Sequence, residues 1–176
     1  MKNSYNRNKI DNRGISLVEL IVVISIMVII AGAISIGYGV VSTKPATECA
    51  EKIQIALNRS RITTMGKLNG YIRIYKNDAG YVLMTETYDS ETTSPTVLTK
   101  KAVTVKYGDS ELGESGLIIS FRRSDGRLEL FKFEDTSLAY EDVKDMEYVE
   151  FEVSKGSRTY AVRIQPITGK VTLVQK

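Results

Sequence analysis

The 176-residue chain has no histidine, no tryptophan, one cysteine and three prolines. Without histidine there can be no Ser/His/Asp or Cys/His nucleophile pair and no histidine-bearing zinc site. The lone Cys49 cannot close an intramolecular disulfide, and its expected place is that of a small buried apolar residue. With no nucleotide-binding loop and no metal constellation either, the chain is not expected to be an enzyme, and neither a cofactor nor a metal is expected. Charge is scarce in a less obvious way. The formal net charge is +3, and within Met1–Gly14 Lys2, Arg7, Lys9 and Arg13 outweigh Asp11 by the same amount. The remainder has no formal net charge, so a pI near 8.9 is no argument for nucleic-acid binding.

What the chain does have is an apolar run, Ile15–Val41, carrying a single charged residue, Glu19. About 20 apolar residues suffice to span a bilayer as a helix, and this run would reach about 40 Å. A soluble protein would have to bury such a helix on every side, which a chain this small cannot easily do. The run therefore belongs in a membrane, or against many copies of itself, or in each by turns. Lys and Arg ahead of it place the N-terminus in the cytoplasm and everything after Val41 outside. An ordinary secretory signal has an apolar core of about 7–15 residues with a small-residue cleavage site after it. Ala31-Gly32-Ala33 would be that site, but the run is nearly twice too long and contains Glu19. A carboxylate deep in such a helix costs about 2.5–3.5 kcal/mol, so Glu19 either lies at head-group level or has a dedicated partner.

Arg13-Gly14-Ile15-Ser16-Leu17-Val18-Glu19-Leu20, running into that apolar helix, resembles the N-terminus of type IV prepilins and of type II secretion pseudopilins. These families share a basic leader, a glycine before the cut and a glutamate as the fifth residue after it. The resemblance implies cleavage between Gly14 and Ile15 by a prepilin peptidase and methylation of the new Ile15 amine. It also implies assembly with other pilin or pseudopilin subunits on an inner-membrane platform driven by a separate ATPase. In a filament of parallel apolar helices the Glu19 carboxylate needs a partner, and the amine of a neighbouring Ile15 can provide it, which would fix the axial stagger. Many family members have a proline in the far half of this helix. Here Ile36 stands near that place, among Gly32, Gly37 and Gly39.

Past Val41, Pro45 is expected to kink the helix or to open a second one. From Ala46 to about Met65 the pattern is amphipathic, with Cys49, Ile53, Ala56/Leu57 and Ser60 on one face. Strand texture then follows: Tyr71–Tyr75 and Tyr81–Met84 as a hairpin, Asp89–Pro95 as a loop, and Val97–Tyr107 as one further strand. Leu117–Phe121 and Leu128–Phe133 flank Asp125-Gly126, and Tyr148–Val153, Thr159–Ile164 and Lys170–Val174 form a meander. The expected fold is α+β, a long N-terminal helix whose second half packs on an antiparallel sheet of about seven strands, pilin-like in the sense of the resemblance. The expected segments are a cytoplasmic leader (1–14), a transmembrane or filament-core helix (15–41), an amphipathic stalk helix (42–66) and a β head (67–176). The Asp-Gly hairpin and the closing Pro166-Ile167-Thr168-Gly169 turn lean toward a minor pseudopilin.

Two further sites come from the residues. Asp135, Glu141, Asp142, Asp145 and Glu147 could crowd around calcium, but their spacing fits no compact calcium loop, and a solvated acidic loop is the preferred reading. Arg122, Arg123, Arg127 and Lys132, with Arg59, Arg61, Lys67 and Arg73 beside Tyr71 and Tyr75, have the basic and aromatic mix that single-stranded nucleic acid favours. A zero mature charge argues against it. The expected function is thus a non-catalytic, inner-membrane subunit of a type IV pilus or pseudopilus. The alternatives are a DNA-uptake component and a membrane-anchored binding module that does not assemble.

Overall fold

The structure is a computed structural model that describes residues 17–66 and 69–176, without the side chains of 32–43. It divides into two compact units, Met1–Val40 and Val41–Lys176, and the boundary falls within the first helix. The architecture is α+β, with antiparallel sheets after an N-terminal helix.

Helix α1 covers Leu17–Gly66. Pro45 lies inside it, buried, and does not end it. Proline removes one hydrogen bond to the preceding turn. Apolar contacts begin at Pro45 and Ala46, and α1 continues through Pro45, so of the two expectations the opening of a second helix is not met. In the second unit α1 presents Ala46, Cys49, Ala50, Ile53, Ala56 and Leu57 to the core, with Ser60 and Thr64 continuing the face. This is the face set by the three-and-four spacing of the sequence.

Twelve strands are described, in two sheets rather than one. The seven-stranded sheet has the order β3-β2-β1-β7-β8-β9, with β4 also on β2. Its members are β1 (Gly70–Lys76), β2 (Val82–Tyr88), β3 (Glu91–Thr92), β4 (Thr96–Thr99), β7 (Leu117–Phe121), β8 (Leu128–Phe133) and β9 (Thr136–Ala139). The five-stranded sheet has the order β12-β11-β10-β5-β6, built from β5 (Thr104–Tyr107), β6 (Ser110–Glu111), β10 (Val149–Lys155), β11 (Arg158–Ile164) and β12 (Val171–Gln175). A short helix, α2 (Tyr140–Val143), follows β9. The expected hairpins β1/β2 and β7/β8 and the final meander form with antiparallel register.

The stretch expected as one strand, Val97–Tyr107, is divided between the sheets. β4 pairs with β2 and β5 with β10, and Lys100-Lys101-Ala102 carries the chain across. The loop expected at Asp89–Pro95 contains β3, because Asp89 and Ser90 both take positive φ (47° and 74°) and close a two-residue hairpin. The acidic stretch after Asp135 supplies β9 and α2, whose first turn is capped by the Asp142 carboxylate accepting from the Ala139 N–H at 2.8 Å.

The core joins both sheets to α1. Phe131 stacks with Tyr107 at 4.9 Å and with Phe151 at 6.3 Å, linking β8 to β5 and β10. Cys49 is wholly buried in this core, and burial pushes its thiol up to about 12. The thiolate needed for reaction is thus scarce at neutral pH. In the folded protein Cys49 should resist an aromatic disulfide reagent and react only in denaturant; prompt stoichiometric labelling of native protein would contradict this packing.

Candidate functional site

The N-terminal part of α1 is apolar on all sides. Every large apolar side chain from Leu17 to Ile30 is exposed, from 44 % at Val23 to 73 % at Leu17. The one hydroxyl interrupting it that bonds locally, Ser25, donates to the Ile21 carbonyl at 2.8 Å and so asks little of its surroundings. A helix with no polar face is stable only when lipid or other helices surround it. Among the described residues no helix is long and apolar enough to cross a membrane. The side chains of 32–43, within the expected anchor, lie outside the described residues. Glu19 stands in the first turn of α1, exposed, where a carboxylate is favoured by the helix dipole. Gly14 and Ile15, the expected cleavage and methylation positions, lie outside the described residues.

Several members of the two other candidate clusters are engaged in internal contacts. Glu141 pairs with Lys144 at 2.8 Å and Asp142 caps α2, so two of the five acidic residues are engaged locally. Among the described residues no group of three metal-ligating side chains comes together. Of the basic residues, Arg127 lies over the Tyr140 ring at 4.2 Å and pairs with Asp125 at 3.4 Å. Arg73 stacks on Tyr75 and donates to the Glu114 and Ser115 carbonyls, Arg61 donates to the Gly126 carbonyl, and Arg59 reaches the buried Glu86 at 3.7 Å. Lys67 is outside the described residues. Arg61 thus brings the second expected group against the hairpin that carries the first, with Arg59, Arg61, Arg73 and Arg127 engaged in internal contacts.

Sequence reasoning missed the ion-pair cluster on the outer face of β10–β12. Glu150 accepts from Lys176 at 2.6 Å and from Arg163 at 2.8 Å, and Lys176 also reaches Glu152 at 2.6 Å. The Lys176 hydrogen bond, more than any other contact, holds the Glu150 carboxyl below the usual range. A depressed folded value stabilises the protein fully above the unfolded value, about 4.3, and that contribution fades as pH falls through the folded value. Glu150→Gln should therefore cost on the order of 1 kcal/mol at neutral pH, with the deficit shrinking in acid. Urea midpoints measured across that range check it, and a deficit independent of pH would refute it.

Residues 10–35 match the prokaryotic N-terminal methylation motif, a span that contains Gly14, Ile15 and Glu19. No curated protein and no solved structure matches the chain. Over this N-terminal stretch the chain is thus similar to type IV pilins and pseudopilins, and the motif supports a pilin-like protein of the kind that a prepilin peptidase processes.

Proposed function

We propose that this protein is a minor, non-catalytic subunit of a type IV pilus or of a type II secretion pseudopilus. Residues 1–14 are a cytoplasmic leader, and the peptidase cuts after Gly14 and methylates the Ile15 amine. Ile15–Val41 first anchors the chain in the cytoplasmic membrane, with the head on the far side, and then packs among the same helices of neighbouring subunits. Removing the leader also removes the four basic residues that hold the N-terminus in the cytoplasm, which frees the helix to leave the bilayer. Glu19 pairs with the amine of a neighbouring Ile15 and so sets the stagger between subunits.

The observation that carries this reading is the methylation motif at residues 10–35, which takes in the apolar start of a helix whose later residues are built into the core of a compact head. The head acts as cargo and contact surface and performs no chemistry. The engagement of Arg61, Arg73 and Arg127 in internal contacts favours this reading over DNA uptake. The test is the intact mass and N-terminal sequence of the protein taken from its native membrane. A chain beginning at Ile15 and one methyl group heavier is the expected result. A chain beginning at Met1 would deprive Glu19 of its partner amine and favour an anchored binding module, and one beginning after Ala33 would leave an unanchored secreted domain.

A further inference from the structure

The end of the apolar run and the crossover between the two sheets bring lysines to one place. Lys44 follows Val41 by three residues, and Pro45 next to it lines an open pocket of about 320 Å³ together with Glu48, Lys52, Val97, Lys100 and Lys101. Lys52 is fixed there, its ammonium donating to the Leu98 carbonyl at 2.9 Å. The Thr99 hydroxyl accepts from the Lys101 N–H at 3.1 Å and so orders the loop. Lys44, Lys100 and Lys101 are exposed, and among the described ion pairs none involves them. Lys52, Lys100 and Lys101 line the pocket with Glu48, and Lys44 adjoins its Pro45, so basic residues gather here although the chain after Gly14 has no net charge.

We propose that Lys44, Lys52, Lys100 and Lys101 form a docking surface for anionic phospholipid head groups. The proposal rests on the reading of Ile15–Val41 as a membrane anchor, and chain continuity selects the occupant. Three residues of helix advance only about 4.5 Å, so Lys44 emerges where the hydrocarbon ends and the phosphates begin. Lys100 and Lys101 line the same pocket as Pro45, which brings a loop distant in sequence beside the residue that follows Lys44. A lysine close to an anionic surface strengthens attachment roughly fivefold, and the effect decays within about 10 Å. The surface would hold the head against the bilayer until the subunit is withdrawn. It would also be exposed again once the helix has left the lipid.

The experiment is limited trypsin digestion of the full chain reconstituted in phosphatidylcholine vesicles, with and without phosphatidylglycerol. Cleavage after Lys100 and Lys101 is followed by mass spectrometry, with cleavage after Lys155, at the end of β10, as internal reference. Phosphatidylglycerol should slow the first relative to the second by roughly tenfold, high salt should remove the protection, and Lys44→Gln should weaken it. Equal relative cleavage in both lipids, with the chain floating with the vesicles, overturns the docking surface and leaves the anchor standing. A chain that floats with neither lipid overturns the anchor and the docking surface together.

Discussion

Gly169→Ala is expected to destabilise the head by about 3–5 kcal/mol, the largest effect of any single methyl group added to it. Gly169 has φ +63°, where a side chain costs about 1–2 kcal/mol. The larger part comes from crowding. A Cβ there would lie 1.9 Å from the Gly126 carbonyl oxygen and 3.1 Å from Arg61 Cδ. Backbone cannot swing aside as a side-chain end can, so one of two turns must move. Those turns are tied together: Leu128 N–H donates to the Pro166 carbonyl at 3.0 Å, Gly169 N–H to Gln165 at 2.8 Å, and Arg61 of α1 to Gly126 at 3.2 Å. Moving either turn thus loosens a joint between the β7–β8 hairpin, the β11–β12 turn and the end of α1. Gly80→Ala is the control, since Gly80 has a similar φ of +75° with nothing within 4 Å. Its cost should stop at about 1–2 kcal/mol. Equal urea midpoints for the two variants would mean that the close approach carries no weight.

The second large effect is functional. Glu19→Ala should leave membrane insertion intact, because it removes the one charge of the apolar run, yet reduce incorporation into filaments about tenfold or more. Without the carboxylate a neighbouring Ile15 amine would be buried unpaired, and a broken buried pair costs about 3–5 kcal/mol. Glu19→Gln keeps the shape and loses the charge, and should fail to the same extent. Sheared filaments probed for each variant give the answer. Normal incorporation of both would remove the argument that charge pairing sets the stagger.

Local pattern carried much of this fold. Cys49, Ile53, Leu57 and Ser60 announce the buried face of α1 because a helix facing a core on one side must space its apolar residues three and four apart. The β1/β2 and β7/β8 hairpins announce themselves by alternation around turn residues. The division of Val97–Tyr107 between two sheets was not legible, since Lys100-Lys101-Ala102 holds neither proline nor glycine and the residues on each side alternate alike. Nor was β3, whose turn uses Asp89-Ser90 instead of the residues that adopt positive φ most readily. The persistence of α1 through Pro45 reflects the packing of Ala46 and Cys49 overriding a local preference. At the N-terminus the motif could be read because its signal is chemical, a glycine and a glutamate at fixed spacing in a field of hydrocarbon. The lysine pocket could not, because chain separated by some fifty residues supplies its two halves.

The second half of α1 is synthesised early, but what covers it arrives late. Thr47 bonds to the Tyr160 hydroxyl, and Gln54 and Asn58 bond to the Val171 carbonyl, partners separated by 113 to 117 residues. Contacts that distant in sequence close slowly. While the chain is being made, the face formed by Cys49, Ile53 and Leu57 stays uncovered until β11 and β12 have followed it. The cell must therefore shield an apolar helix face for most of the time the chain takes to be completed, and a chain stalled before β12 would present that face to any hydrophobic surface or chaperone within reach.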